Sequence, residues 1–232
     1  MKIMWAITGA GHLLKESIEV LEKLSDKHEI TVIFSNAGLE VVKMYGYYNK
    51  IEKIIGKNPN NQVVTEEEEK YSYPLSGKLT YNHYNQIIIS PTTANTTAKI
   101  VHAIADTLVT NIAAQSGKGQ IPLIIVPVDQ KAGEITTTLP PHIDRNLCQQ
   151  CKTCSAKNIC PTNAINPPEI DKSKCIQCLQ CENACDYNAI ITDEKMKLYI
   201  REIDAENTKK LEKIENVTIL NHPKEILENI IN

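Results

Sequence analysis

Apolar positions along the chain fall into short unbroken runs separated by stretches of helical spacing, and that alternation predicts a parallel sheet covered on both faces. Residues 2–7 are almost all apolar, as in a strand buried on both sides. Thr8-Gly9-Ala10-Gly11 follows, and Leu14, Ile18, Val20, Leu21 and Leu24 then recur with helical spacing. Residues 30–34 repeat the strand pattern and close on Ser35-Asn36-Ala37-Gly38, before a helical stretch over residues 39–45. Ile87-Ile88-Ile89 is a third run, ending at Ser90-Pro91 and followed by an expected helix over residues 92–106 with Ile100, Ile104 and Leu108 on one side. Residues 121–128 predict a fourth strand, with Pro122 at its start and Pro127 near its end.

The pattern then changes. Residues 136–141, Thr-Thr-Thr-Leu-Pro-Pro, read as a linker, and a cysteine-rich segment runs to Ile191. After Asp193 the earlier character returns, with a strand expected over residues 197–203, a helix over 206–214, a strand over 217–220 and a last amphipathic helix over 223–231. That tail is too short to fold alone. The expected organisation is therefore one α/β domain built from residues 1–140 and 193–232, interrupted by an inserted module over residues 141–192.

Composition narrows the function. A chain of 232 residues with 42% hydrophobic content can build a sizeable core, and a net charge of −3 offers no basic field to hold a nucleic acid. The apolar run at the N-terminus stops at Gly9, too short for a signal-peptide core or a membrane span. All eight cysteines lie between Cys148 and Cys185, which points to metal ligands in a reducing, cytoplasmic setting and not to a disulfide framework.

Those cysteines form two repeats. Cys148, Cys151 and Cys154 are followed by Cys160-Pro161, and Cys175, Cys178 and Cys181 by Cys185. This is the bacterial pattern for two [4Fe–4S] clusters, in which the fourth cysteine of each repeat crosses to the other cluster. Cys148, Cys151, Cys154 and Cys185 are thus assigned to one cluster, and Cys160, Cys175, Cys178 and Cys181 to the other. Asn163-Ala164-Ile165 and Asn188-Ala189-Ile190 recur at the same offset after each last cysteine. The first repeat departs from the pattern with five residues before Cys160, and the second with Asp186 where a proline would follow. A pair of Cys₄ zinc sites is the alternative, though zinc modules favour paired Cys-x₂-Cys units over triplets with a distant fourth ligand. Folding of so small a module is expected to depend on its clusters.

Residues 8–12, Thr-Gly-Ala-Gly-His, end a strand and open a helix, where free amides and the helix dipole favour a phosphate. Ser35 and Asn36 stand in the equivalent place after the second strand, as phosphate donors or as a simple cap. The segment Ser90-Pro91-Thr92-Thr93-Ala94-Asn95-Thr96-Thr97 resembles the PASANT-type motif of the homo-oligomeric flavin-containing cysteine decarboxylase family, whose members are Rossmann-like and bind FMN. That resemblance implies that Gly9, Ala10, Gly11, His12, Ser35 and Asn36 meet the FMN phosphate. It implies further that Ser90, Pro91, Thr92, Thr93, Asn95 and Thr96 line the isoalloxazine and substrate pocket.

Two departures weigh against decarboxylation. Gly77 falls where those enzymes carry a catalytic histidine, with His83 out of register, and Pro127-Val128-Asp129 replaces a later Pro-x-Met-Asn segment. The chain is more similar to the archaeal iron–sulfur branch, in which a ferredoxin module joins the flavin domain, and residues 201–208 share that similarity. The branch implies an FMN-dependent oxidoreductase that takes electrons from a donor protein or reduced carrier, reduces a pterin-type small molecule and forms a homo-oligomer. A carrier between protein partners with no small substrate is the competing expectation; a decarboxylase or prenyltransferase with an added ferredoxin is a third. The tyrosines at 45, 47, 48, 71, 73, 81 and 84 are expected to pack conventionally, and Glu66–Glu69 to form a solvated loop or helix start.

Overall fold

The structure is a computed structural model that describes residues 1–69, 74–79 and 84–230; Tyr71, Tyr73, Tyr81 and His83 lie outside the described residues. In chain order the first part comprises β1 (Lys2–Ile7), α1 (Leu14–Ser25), β2 (Glu29–Phe34), α2 (Asn36–Met44), α3 (Tyr48–Ile55), β3 (Gln62–Thr65), α4 (Glu66–Glu69), α5 (Pro74–Lys78), β4 (Gln86–Thr92), α6 (Ala94–Val101), α7 (Leu108–Lys118) and β5 (Leu123–Pro127). The rest comprises β6 (Gly133–Thr138), β7 (His142–Ile143), α8 (Ser155–Ile159), β8 (Ile165–Asn166), β9 (Glu169–Ile170), β10 (Ile190–Ile191), β11 (Lys195–Ile200), α9 (Glu202–Lys210), β12 (Val217–Ile219) and α10 (Ile226–Asn229).

A six-stranded sheet runs in the order β12-β5-β4-β1-β2-β3, with every neighbouring pair parallel. Strand alternation divides the core in two. Ile3, Trp5 and Ile7 face one layer with Leu14, Ile18 and Leu21 of α1 and Ile51 and Ile54 of α3, whereas Met4 and Ala6 face the other with Leu108 and Ile112 of α7. The fold is therefore a doubly wound, Rossmann-like α/β sheet. Its edge strand β12 comes from after the cysteines and pairs with β5, which comes from before them.

Several expected boundaries shift for local reasons. The helix expected over 92–106 is two helices, because Ala103 adopts a left-handed φ of 57° and Thr107 opens α7 with a capping box. The expected linker at Thr136–Thr138 is the end of β6, which pairs antiparallel with β11 as a two-stranded ribbon. β11 begins at Lys195, and α9 begins at Glu202, ahead of its expected start, with Arg201 paired to Asp204 in its first turn at 2.7 Å. The last expected helix is a 3-10 turn over Pro223–Glu225 followed by the short α10.

Glu66 is more than a solvated charge. Its carboxylate accepts from the Asn36 N–H at 3.1 Å and the Leu108 N–H at 2.9 Å, so one side chain closes the first turns of α2 and α7 together.

Candidate functional site

Strand order reverses direction between β1 and β4, so the loops after these strands diverge and leave a crevice at the carboxyl edge of the sheet. Buried hydrogen bonds lock the two loops together. Thr8 Oγ1 donates to the Pro91 carbonyl at 2.9 Å and accepts from the Thr93 N–H at 2.8 Å. The Trp5 indole donates to the Ser90 carbonyl at 3.0 Å, and the Ser17 and Ser90 hydroxyls meet at 2.8 Å.

Around this edge the structure gathers Gly9–His12 after β1, Ser35 and Asn36 at the start of α2, and Thr93, Asn95 and Thr96 at the start of α6. Ser90, Pro91 and Thr92 are buried behind them, the Thr92 hydroxyl spent on the Ile89 carbonyl at 2.7 Å. Ser35 caps α2 through the Gly38 N–H at 3.0 Å, and Thr93 caps α6 through the Thr96 N–H at 3.3 Å. Helix α1 differs: its cap residue Leu13 is left-handed, with φ 61°, and supplies no side-chain bond. Its first amides therefore suit an external anion.

Asp129, just beyond β5, completes the edge by accepting from the Ala94 N–H at 3.2 Å. Burial, with Asp204 adding to it, pushes its carboxyl above the usual carboxylate range against the pull of the Ala94 N–H, His12 and Arg201. Burial lowers the His12 imidazole below its ordinary value, opposed by Glu16 and Asp129. A neutral imidazole thus faces a carboxyl of raised affinity for protons. Sequence reasoning noted Asp129 only as a departure from a motif, although its place after a parallel strand is the signal that would have found it.

A cleft of about 660 Å³ opens from Gly11 and His12. It runs between the start of α1, the Tyr45–Tyr47 turn, the ribbon residues Thr136–Thr138 and the cysteine-module residues Gln177 and Leu179. In its wall the Thr137 hydroxyl is buried with no hydrogen-bond partner among the described residues, a polar group left for a ligand. A Cβ at Gly11 would lie 2.1 Å from the Tyr45 hydroxyl, so any side chain there would displace the Tyr45 phenol, which donates to the Thr138 carbonyl at 3.1 Å.

The cysteine module is built twice. Asp144 N–H donates to the Ala189 carbonyl at 2.8 Å and Asp171 N–H to the Ala164 carbonyl at 2.7 Å, so each repeat's opening is tied to a repeat's end. Left-handed residues recur in register, Gln150 with Gln177 and Asn163 with Asn188. Ala164 N–H points at Cys160 Sγ, 3.2 Å away, and Ala189 N–H at Cys185 Sγ, 3.4 Å away. Such bonds favour the charged sulfur of a metal-bound thiolate. The two extra residues before Cys160 are absorbed by α8.

All eight cysteines are free thiols. Cys160, from the first repeat, lines one apolar cavity with Cys175, Cys178 and Cys181 from the second. Burial, with the neighbouring Cys175, Cys178 and Cys160 adding to it, pushes the Cys181 thiol up to about 11. Cysteines of both sets, Cys148, Cys154 and Cys185 with Cys160 and Cys181, pack on the small core of Ile143, Ala156, Ile165, Ala189 and Ile190, and the Ser155 hydroxyl donates to the Asp186 carboxylate at 3.3 Å, which ties the end of the first triplet to the residue after Cys185. Among the described residues no three His, Cys, Asp or Glu converge on one ion. A cubane takes each thiolate on a different iron, so its ligands stand further apart than those of one tetrahedral zinc.

A sequence model of the flavoprotein family matches residues 1–178. The chain belongs to the flavoprotein family. A 4Fe–4S binding domain matches residues 168–191 of this flavoprotein, a span holding Cys175, Cys178, Cys181 and Cys185. Dihydromethanopterin reductase (acceptor) of Methanocaldococcus jannaschii is 48% identical over 98% of this chain and 95% of its own. The Methanosarcina mazei protein of the same name is 36% identical over 98% of both chains. Among solved structures, the fold is shared with Burkholderia xenovorans DmrB in complex with FMN, described as a cubic protein cage for redox transfer. The two align with a TM-score of 0.63 at 24% identity, covering 98% of this flavoprotein and 92% of that chain.

Proposed function

We propose that this flavoprotein reduces dihydromethanopterin to tetrahydromethanopterin, using FMN and two [4Fe–4S] clusters fed by a reduced carrier. The observation that carries the reading is the cleft that opens from the glycine turn at Gly11 onto the cysteine module at Gln177, beside a thiol set drawn from both repeats. Full-length similarity to two reductases of that name supplies the substrate. The clusters pass single electrons, and FMN joins such transfers into hydride-level chemistry on a C=N bond.

The chain's own groups then have defined tasks. Gly9, Ala10, Gly11 and the uncapped amides of α1 hold the phosphate, with the Ser35 hydroxyl and Asn36 beside it. Thr93, Asn95 and Thr96 border the ring system, while Ser90, Pro91 and Thr92 support it from behind. His12 and Asp129 stand at the edge of the site, and Asp129, which accepts from the Ala94 N–H there, is the proton donor this reading assigns. The domain division at residues 1–140, 141–192 and 193–232 belongs to the same reading. So does homo-oligomeric assembly, supported by Met196 and Leu198, exposed apolar residues on one face of β11. Among the described residues no helix is long and apolar enough to cross a membrane.

Anaerobic mixing of the fully reduced protein with dihydromethanopterin tests the substrate. Stoichiometric tetrahydromethanopterin with reoxidation of the flavin is expected. Flavin that stays reduced with the pterin, yet is reoxidised by an electron-carrier protein, would replace this reading with that of a carrier.

A further inference from the structure

The Tyr45-Gly46 turn touches both cofactor sites at once. On one side the Tyr45 side chain fills the space that a side chain at Gly11 would need, its hydroxyl 2.1 Å and its ring 2.5 Å from where the Cβ would stand. On the other, Gly46 adopts a φ of +76°, and a Cβ there would lie 3.1 Å from Cys175 Cβ and 3.2 Å from Cys175 Sγ. Gln177 Nε2 donates to the Tyr45 carbonyl, and Asn49 Nδ2 to the Ser173 carbonyl, so the second repeat is held on this turn by hydrogen bonds on both sides of Cys175. Tyr47 continues the turn and is buried beside it. The other thiol set has no such contact with the glycine turn in the hydrogen bonds or cleft described. Its Cys151 is exposed, and Leu147, 43% exposed, lies beside Cys148.

We propose that Tyr45 and Gly46 bridge the cluster of Cys160, Cys175, Cys178 and Cys181 to the flavin, and that the cluster of Cys148, Cys151, Cys154 and Cys185 is the entry point for electrons. The inference rests on the function proposed above. A reduced one-electron carrier protein gives an electron to the entry cluster and is oxidised. The electron moves to the bridged cluster and then to the flavin, and two such transfers supply the pair for one hydride. The Tyr45 ring packs on the glycine turn while the adjoining Gly46 backbone packs on Cys175, so removing the ring opens a gap on this path and slows the transfer.

The test is rapid mixing of the anaerobic holoprotein with a reduced ferredoxin, following flavin bleaching, in the unaltered protein, Tyr45→Ala and Tyr45→Phe. Tyr45→Ala is expected to slow flavin reduction several-fold, and Tyr45→Phe to recover most of the loss. Iron content and cluster electron paramagnetic resonance spectra stay unchanged in both. Equal rates in all three proteins with intact clusters would overturn the bridge. A second measurement covers loss of cofactor in Tyr45→Ala: removing FMN should alter the cluster spectrum left in Cys151→Ala and leave that of Cys178→Ala as it was. The reverse pattern overturns the assignment of the near cluster. Absence of iron or FMN from the unaltered protein would instead refute the underlying function.

Discussion

Replacing Cys160 by alanine is expected to remove the cluster of the second repeat, although Cys160 belongs to the first. Its thiol lines the same cavity as Cys175, Cys178 and Cys181. The Ala164 N–H is aimed at its sulfur at 3.2 Å. Non-additivity tests which cluster is lost, because ligands of one cluster act as a unit and ligands of different clusters act independently. Cys160→Ala should retain about four irons per chain, Cys160→Ala with Cys178→Ala about the same four, and Cys160→Ala with Cys151→Ala almost none. Iron and acid-labile sulfide assays read this directly. If the Cys178 combination empties the protein while the Cys151 combination keeps four irons, Cys160 ligates within its own repeat. Near-ultraviolet and far-ultraviolet circular dichroism should also show the affected half of the module losing order, since the large apolar core of a bigger domain is replaced here by a handful of residues around Ala156, Ile165 and Ala189.

Gly38→Ala is expected to be the most destabilising small substitution in the α/β domain. A Cβ at this position would stand 2.2 Å from the Ile7 carbonyl oxygen and 2.9 Å from its carbon, both backbone atoms at the end of the central strand β1. Neither can step aside like the end of a flexible side chain, and the same carbonyl accepts the Ser35 N–H at 3.2 Å. Relief therefore requires α2 to lift from the sheet, which moves Ser35 and Asn36 away from the glycine turn. Overpacking of this kind costs about 3 kcal/mol or more. For a chain of this length that lowers the melting temperature by roughly 10 °C. Gly77→Ala is the matched control, because a Cβ there meets nothing within 4 Å and α5 gains a better helix former. Thermal unfolding of both variants measures the difference, and a Gly38→Ala protein that melts with the unaltered one would show that α2 does not sit where the fold places it.

The elements that could be read from sequence are those whose burial is complete. β1, β2, β4 and β5 are unbroken apolar runs because helices cover both faces of the sheet, and the cysteine repeats are legible because ligand spacing is dictated by cluster geometry. What escaped depends on partners distant in sequence. Helix α3 buries only Ile51, Ile54 and Ile55 among charged neighbours, and β3 is an edge strand with no fully buried residue, so neither carries a strong period. The threonines of β6 read as a linker until β11 is found to pair with them. Tyr45, Thr137 and Gln177 enter the site only because the cysteine module and the ribbon converge on one cleft, and Asp129 only because the loop after β5 meets the start of α6. Glu66 sits in an acidic run that reads as solvated surface, and only the folded chain brings the amides of Asn36 and Leu108 to its carboxylate.

The central claim is that one chain carries flavin and clusters together, and the cofactor content of the anaerobically purified protein tests it most directly. About eight irons, eight sulfides and one FMN per chain are predicted, from two cubanes and one flavin site. Zinc without sulfide, or clusters without any releasable flavin, would contradict it.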